Sequence, residues 1–80
     1  MEEVGRVEHY FDRINVAVVA LNGILRLGDR IRIRGKKTDF EQEVESMQIE
    51  HKQIDEAGPG EMIGLKVKEK VREGDVVYKL

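Results

Sequence analysis

The sequence predicts an all-β protein, a small closed antiparallel β-barrel of about six or seven short strands in a single domain over residues 1–80. The first indication is a Gly-Asp pair that leads directly into strand-like residues, at Gly28-Asp29 and again at Gly74-Asp75. Glycine accepts the positive φ of a tight turn, and aspartate closes such a turn by hydrogen bonding to the backbone. The second indication is the lack of a long helical pattern. Closure into a barrel removes the exposed edges that short strands would otherwise leave.

The composition excludes several classes of protein. The 80 residues suffice for one small core, and the absence of cysteine excludes disulfides and thiolate metal sites. Charged residues make up 38% of the chain but the net charge is only −2, so there is no bulk attraction for nucleic acid. No apolar run approaches the ~20 residues of a membrane-spanning helix, and no secretion signal is recognisable. We therefore expect a cytoplasmic protein with no membrane contacts, and its richness in Glu, Lys and Arg is typical of thermophile proteins.

The first third of the chain has the two-residue period of β-strands. Residues 4–10 are predicted as a first strand. One face of the second strand is apolar at Ile14, Val16, Val18 and Ala20. Val19 and Leu21 occupy the opposite face, so both sides of this strand are expected to be covered. Asn22-Gly23 then predicts a hairpin that leads into the return strand.

The middle of the chain continues with alternating residues. Residues 30–34 place isoleucines toward the core and arginines toward solvent, and a polar loop follows over residues 35–39. Residues 40–49 are predicted as one strand. The apolar positions change parity within it, which indicates a β-bulge near Ser46.

The last third supplies shorter elements. We predict a short edge strand at residues 51–54, a strand at 62–67, a short helical turn at 68–73 and a closing strand at 75–78. The predicted structural turn residues are Asn22, Gly23, Gly28, Asp29, Gly58, Pro59, Gly60, Gly74 and Asp75. We expect little room for a side chain at Gly23 and Gly28, so Gly28→Val should cost more than about 1 kcal/mol of stability.

The arginines of residues 30–34 are the most basic feature of the predicted surface. Arg30, Arg32 and Arg34 project from one strand face, and Lys36 and Lys37 follow in the loop. Because the guanidinium group is a rigid fork of donors, RNA phosphates are one interpretation. The favoured alternative is a ladder of cross-strand ion pairs. Its expected pairs are Arg34 with Glu41, Arg32 with Glu43 and Arg30 with Glu45.

Few side chains could carry out catalysis. Apart from two tyrosines, the only hydroxyl groups are those of Thr38 and Ser46, and the two histidines, His9 and His51, lie at expected strand ends. A nucleophile needs an oriented base beside it, and a metal ion needs several clustered ligands. We therefore expect no enzyme, and we assign no catalytic, cofactor-binding or metal-binding residue.

Three motifs, taken in order, resemble a known family. They are Gly-Ile-Leu-Arg-Leu-Gly-Asp at residues 23–29, Ala-Gly-Pro-Gly-Glu-Met-Ile-Gly at 57–64, and Val-Arg-Glu-Gly-Asp-Val-Val at 71–77. Together with Val44 and Met47 between them, they resemble the second domain of the translation GTPases, the β-barrel of elongation factor Tu and initiation factor 2. The resemblance covers about residues 16–78. The chain is also similar to the barrel appended to peptidase-like proteins of the U32 family.

The resemblance implies the barrel of a translation factor without its nucleotide-binding domain. No Gly-x-x-x-x-Gly-Lys-Ser/Thr loop occurs, so no intrinsic GTP binding is expected. In elongation factor Tu the barrel helps to hold the aminoacylated end of tRNA, with a Glu before the family Met and an Asn before the last Val-Gly. Here Ser46 precedes Met47, and Met62 stands where that factor has Asn. That tRNA pocket therefore does not carry over residue by residue.

Two classes of function follow. The first is a non-catalytic, translation-related binding module that docks on a larger protein partner or complex. The second is an RNA-binding module that contacts tRNA or ribosomal RNA through basic loops. Its candidate contacts are Arg6, Arg13, Lys36 and Lys37. The partners expected are therefore a protein or the translation machinery, with RNA as the alternative.

Overall fold

A computed structural model describes residues 1–80, and it contains ten β-strands and no helix. The strands are β1 (Glu2–Phe11), β2 (Val16–Leu21), β3 (Leu25–Arg26), β4 (Arg30–Arg34), β5 (Asp39–Glu43), β6 (Met47–Ile49), β7 (Lys52–Ile54), β8 (Glu56–Ala57), β9 (Met62–Lys66) and β10 (Val76–Lys79). The all-β prediction is confirmed. No helix is present that could cross a membrane.

Eight of the strands form one antiparallel sheet, in the order β5-β4-β10-β1-β2-β9-β6-β7, and β3 pairs with β8 in a separate ribbon. The prediction of a closed barrel of six or seven strands is therefore wrong in two respects. The strands are more numerous, and the ladder of backbone pairs has two ends, β5 and β7. The sheet is an open, curled half-barrel.

A side chain joins two parts of the curled sheet where the backbone ladder does not. Gln42 of β5 is 2% exposed. Its Nε2 donates to the Lys66 carbonyl at the end of β9 (2.9 Å), and its Oε1 accepts the backbone N–H of Lys68 (2.8 Å). Because β5 and β9 are far apart in the strand order, this amide shows how strongly the sheet curls.

Curling the sheet turns one face of every long strand into a common core. Seventeen buried apolar residues form a single cluster. Ile31 and Ile33 of β4 are fully buried, while the three arginines that alternate with them face outward, as predicted. Along β9 and just beyond it, Ile63, Leu65 and Val67 are buried at every second position, which agrees with the strand predicted at residues 62–67. Burial of about 25 cal/mol per Å² of apolar surface is the main stabilising term for such a core.

The prediction of a hairpin at Asn22-Gly23 is wrong, because the strands on either side of it do not pair with each other. β2 pairs with β1 and β9, whereas the next strand, β3, pairs with β8. The backbone N–H groups of Asn22 and Gly23 both donate to the Val4 carbonyl, at 2.8 and 3.1 Å. A Cβ on Gly23 would lie 3.0 Å from Val4 Cγ1, so this glycine permits close packing against β1.

The long strand predicted at residues 40–49 is two strands at different places in the sheet. β5 forms one edge, and β6 lies between β9 and β7 near the other. Between them, Val44 exchanges backbone hydrogen bonds with Gly28 and Asp29, at 2.9 and 2.8 Å. The change of parity that indicated a bulge near Ser46 therefore marks a crossing from one side of the half-barrel to the other.

Three turns share one geometry and each contains a glycine with φ near +90°. The turns are Arg26-Leu27-Gly28-Asp29, Gly58-Pro59-Gly60-Glu61 and Arg72-Glu73-Gly74-Asp75. In each, the carboxylate of the fourth residue accepts the backbone N–H of the first, at 2.7 to 2.9 Å. The glycine φ values are +90°, +88° and +91°. This positive φ is the conformation that the third residue of a type II turn requires.

Residues 68–73 contain no helical turn, contrary to the prediction. This segment covers one end of the half-barrel, and Val71 is 1% exposed within it. Its course is fixed by two contacts beside β5: Lys68 N–H with Gln42, and Arg72 Nη1 with the carbonyl of Lys37 (3.3 Å). Side-chain and packing contacts thus replace the backbone bonds of a helix.

Candidate functional site

The outer face of β2, β9 and β6 forms a groove of about 570 Å³. Its lining residues are Phe11, Ile14, Val16, Val18, Ser46, Gln48, Glu50, His51, Met62, Ile63, Gly64 and Lys66. The volume lies within the range of about 300–1,000 Å³ that binding sites usually show. The groove exists because β2 is apolar on both faces: one face fills the core, and Val16 and Val18 of the other line the groove.

Three large apolar side chains stand exposed in this groove. Phe11, Ile14 and Met62 are 48%, 55% and 54% exposed. Single exposed apolar residues are ordinary, but a contiguous apolar surface usually marks an interaction site. The groove is therefore the strongest candidate for binding on the molecule.

The floor of the groove is lowered by a glycine in the middle of a strand. Gly64 of β9 lies opposite Val18 on one side and Gln48 on the other. A Cβ at this position would lie 3.3 Å from Val16 Cγ1. Glycine inside a strand often marks a place where another chain or a ligand approaches closely.

Several contacts fix the wall that carries Phe11 and Ile14. The Lys66 ammonium donates to the Ile14 carbonyl (2.9 Å), and the Tyr10 hydroxyl donates to Asn15 Oδ1 (3.1 Å). The Phe11 ring meets the His9 ring edge-on, with centroids 4.5 Å apart and an interplanar angle of 71°. The apolar wall is therefore held in place by its own chain.

The rim of the groove includes an unusual hairpin loop. Glu50 and His51 connect β6 to β7, and their φ values are +51° and +66°. Since Ile49 pairs with Lys52, these two residues are the whole loop. Both line the groove.

The arginine row forms ion pairs in a register different from the predicted one. Across β4 and β5, Arg30 lies opposite Glu43, Arg32 opposite Glu41 and Arg34 opposite Asp39. The predicted pairs are wrong by two residues. The ion pairs themselves run diagonally. Arg32 makes two hydrogen bonds to Asp39 (2.7 and 2.8 Å), and Arg30 Nε lies 3.8 Å from Glu41.

The Arg32–Asp39 pair perturbs both groups. The side-chain hydrogen bond is the main reason that the pKa of Asp39 is lowered and the pKa of Arg32 is raised, while desolvation opposes both shifts. Arg34 has no ion pair. The prediction that carboxylates of the neighbouring strand pair with the arginines therefore holds for Arg30 and Arg32 but not for Arg34.

Basic side chains collect at one end of the half-barrel. Arg34, Lys36 and Lys37 lie in and beside the loop after β4, and the segment with Lys68, Lys70 and Arg72 runs next to it. Arg72 Nη1 joins the two segments by donating to the Lys37 carbonyl and to Thr38 Oγ1, both at 3.3 Å. With Glu69 counted, residues 34–37 and 68–72 carry a net charge of +5, so the rest of the chain carries −7. We call these two segments the basic end.

The other predicted contact residues lie elsewhere. Arg6 is an exposed residue of β1, in one cross-strand row with Val76 and Arg34. Arg13 lies in the turn between β1 and β2, next to the groove residue Ile14. Sequence reasoning missed Lys68, Lys70 and Arg72 because they are more than 30 residues from Lys37 along the chain. It also missed the groove, although the two apolar faces of β2 were visible.

Residues 16–78 match the family model of elongation factor Tu domain 2, so the chain belongs to that family. The fold described above, with its glycine turns in order, is the barrel of that family in an open, curled form. The likeness to proteins of the U32 peptidase family is also shown.

Two curated relatives are longer proteins. The chain is 46% identical over 79 residues to an uncharacterized protease of Methanocaldococcus jannaschii, a match that covers 98% of the chain and 19% of the relative. It is 38% identical over 78 residues to a collagenase of Porphyromonas gingivalis, which covers 95% of the chain and 22% of the relative. The chain thus spans about a fifth of the length of the curated relatives it matches.

A solved structure shows the same fold in an isolated domain. The C-terminal domain of a Geobacillus thermoleovorans U32 peptidase is 26% identical, with a TM-score of 0.92 over 99% of this chain and 92% of that one. Its selenomethionine variant has a TM-score of 0.94 and is covered completely.

Proposed function

We propose that this chain is a non-catalytic binding module that docks, through the groove on β2, β9 and β6, on the peptidase-like part of a U32-type protein. The observation that carries the proposal is the groove itself. On a chain with 38% charged residues, three large apolar side chains are exposed together there. Burying them against a partner would contribute about 25 cal/mol per Å² of apolar surface.

The choice of partner rests on the relatives. In the Methanocaldococcus jannaschii protease, the matching segment is 19% of the protein, so about four-fifths of that protein lies outside it. A module of this kind therefore has a much larger neighbour in its own relatives. Contacts between domains of one chain commonly bury 600–1,500 Å².

The family comparison also favours a protein over a tRNA end in the groove. Ser46 and Met62 are two of the positions at which the sequence departs from the tRNA pocket of elongation factor Tu, and both line the groove. A carboxylate and an amide are thus replaced by a small hydroxyl and an apolar thioether. Both changes remove hydrogen-bonding capacity and leave a surface better suited to apolar side chains.

Cysteine labelling tests the docking. The chain has no cysteine, so Met62→Cys gives a single thiol in the groove. We would compare maleimide labelling of the isolated chain with that of the Methanocaldococcus jannaschii protease carrying this chain in place of its matching segment. Docking predicts labelling at least about tenfold slower in the larger protein, since a thiolate must be exposed to react.

Two control positions make the labelling experiment decisive. Lys36→Cys, at the basic end, should label equally fast in both proteins. Val19→Cys, at a fully buried core position, should stay unlabelled in both if the domain is folded. Equal labelling of Met62→Cys in both folded proteins would contradict the docking proposal.

The basic end favours a second candidate, an RNA-binding module within the translation machinery. A net charge of +5 over two adjacent segments suits a phosphate backbone, and Arg6 lies in the same cross-strand row as Arg34. The Lys36→Glu/Lys37→Glu double variant should lose retention of tRNA and ribosomal RNA at low salt. Lys52→Glu, on β7, is the control and should retain it. If the unmodified chain retains neither RNA, this candidate fails.

A further inference from the structure

The loop between β6 and β7 has a conformation that its sequence does not favour. Two-residue hairpin loops in which both residues have positive φ are normally filled by Asn-Gly or similar pairs. A side chain in this left-handed region crowds its own backbone, although histidine tolerates it better than most residues. Glu50 and His51 both adopt it, at φ values of +51° and +66°. The chain therefore keeps two large side chains here at a cost in backbone conformation.

No side-chain contact within the chain offsets that cost. Neither Glu50 nor His51 takes part in a side-chain hydrogen bond or an ion pair, and both side chains are exposed. Asn15, the other residue with positive φ apart from glycine, does have such a contact, from the Tyr10 hydroxyl. Strain of this type persists mainly where it serves binding or catalysis.

The position of the loop indicates which process it serves. Glu50 and His51 line the same groove as Phe11, Ile14 and Met62, and they add polar groups to its apolar wall. In a binding groove, a few polar groups of this kind fix the orientation of a ligand that apolar contacts hold. A carboxylate without a cation of its own accepts hydrogen bonds from a partner.

We propose that the Glu50–His51 loop is a specificity-determining contact of the groove, held in a strained conformation so that both side chains reach the docked segment. The inference rests on the docking proposed above. It assigns to the docked segment apolar side chains against Phe11, Ile14 and Met62, and a cationic side chain opposite Glu50. The segment belongs to the peptidase-like part of the U32-type protein.

A loop variant separates strain from binding. The Glu50→Asn/His51→Gly double variant fills the loop with the residues that this turn prefers. We expect the Tm of the isolated chain to rise by about 4–8 °C, the shift that a domain of this size shows for a roughly fivefold change in its folding equilibrium. In the larger protein, the same variant should speed labelling of Met62→Cys by about tenfold, because docking is weakened.

Single variants identify which group makes the contact. Glu50→Gln keeps the loop strained but removes the charge, so it should speed labelling of Met62→Cys and leave the Tm unchanged. Glu8→Gln is the matched control: Glu8 is an exposed carboxylate on β1 with no ion pair, outside the groove. It should change neither quantity.

The results distinguish this inference from the docking proposal. If Met62→Cys labels equally fast in both proteins with the native loop, docking itself fails. If Met62→Cys is protected and the loop variant leaves that protection unchanged, docking stands and the role of the loop is overturned. A loop variant with a lower Tm would also overturn it, because the native loop would then not be strained.

Discussion

Gly28, Gly60 and Gly74 each fix one corner of the half-barrel by the same means. Each has φ near +90°, and a carboxylate one residue later accepts a backbone N–H three residues before it. The expected crowding around Gly28 is wrong, because no atom lies within 4 Å of a Cβ placed there. What Gly28 supplies is its conformation.

Replacing Gly28 by valine should therefore destabilise the fold through the backbone alone. We expect Gly28→Val to lower the free energy of unfolding by about 1–2 kcal/mol, because a branched side chain is strongly disfavoured at positive φ. Urea unfolding measures the change. Gly58→Ala is the control, since Gly58 lacks a positive φ and a Cβ there meets only Glu61 Oε1, at 4.0 Å. Equal losses in both variants would contradict this explanation.

Asp39 should make stability depend on acid. Its pKa is lowered in the folded protein by the hydrogen bonds from Arg32, so the pair stabilises the fold fully above the ordinary value of 3.8. That stabilisation is lost as the pH falls through the lower, folded-state pKa. The Tm difference between the unmodified chain and Asp39→Asn should be constant above about pH 5 and shrink below pH 4. Glu43→Gln should show no such change, because Glu43 has no ion pair.

The third glycine turn shows what residue-level reasoning could and could not predict. Gly28-Asp29 and Gly74-Asp75 stood out because aspartate commonly closes turns. Gly60-Glu61 makes the same contact with a longer carboxylate, at 2.7 Å from the Gly58 nitrogen. Glutamate seldom closes turns in this way. The sequence therefore predicted a turn at residues 58–60, but it did not show that this turn has the same geometry as the turns of Gly28 and Gly74.

Among the elements, β5 is joined to the end of β9, on the other side of the core, by the side-chain amide of Gln42. If Gln42 is removed, the Lys68 N–H loses its acceptor and the Lys66 carbonyl loses its donor. Both hydrogen bonds are half-buried, and polar groups that lose their partners away from water cost about 1–3 kcal/mol each. Removing Gln42 therefore costs more free energy of unfolding than the net contribution of either hydrogen bond alone.

Gln42→Leu should expose this dependence. The side chain keeps nearly the same volume but neither hydrogen bond, so we expect the free energy of unfolding to fall by about 2 kcal/mol. Gln53→Leu is the matched control, because Gln53 is exposed on β7 and bonds only to Ser46, at 3.2 Å. A loss below about 0.5 kcal/mol for Gln42→Leu would show that water replaces the amide.

The elements that were predicted well are those with unbroken alternation, such as β4 and β9. The errors fall where a strand changes face. The single strand predicted at residues 40–49 is an example, because β5 and β6 lie at different places in the sheet. The ion-pair register failed for a related reason: the length of the loop between β4 and β5 sets it, and alternation alone does not.

The groove was not predictable as a site, although its parts were. Its walls come from β2, β9, β6 and two loops, which only the folded sheet brings together. Apolar residues on both faces of β2 indicated that the outer face is covered. In the chain itself that face is only half-buried and lines the groove. The proposed docking would cover it.

At the scale of the whole molecule, β10 holds the sheet together. It lies between β4 and β1, so it connects the pair β5-β4 to the other five strands. Val77 pairs with Ile33 on one side and with Gly5 on the other, and it is fully buried. β7, in contrast, is a three-residue edge strand with mostly exposed side chains.

Native-state hydrogen exchange should therefore separate these two strands. Amides of β10 should exchange only by global unfolding, while those of β7 should exchange by local opening, which needs less free energy. Increasing urea should accelerate exchange steeply at Val77 and hardly at Ile54, whose amide faces Met47 of β6. Similar protection and urea dependence in both strands would show that the half-barrel unfolds as a single unit.

The central place of β10 also matters while the protein is being made. A ribosome releases residues 76–79 after every other strand, at about 5–20 residues per second. Until then β4 and β1 have no common neighbour, and both present unpaired backbone groups that could pair with other nascent chains. The domain therefore completes its sheet only after synthesis of its final strand, and ribosome pauses shortly before that point would prolong its exposure to aggregation.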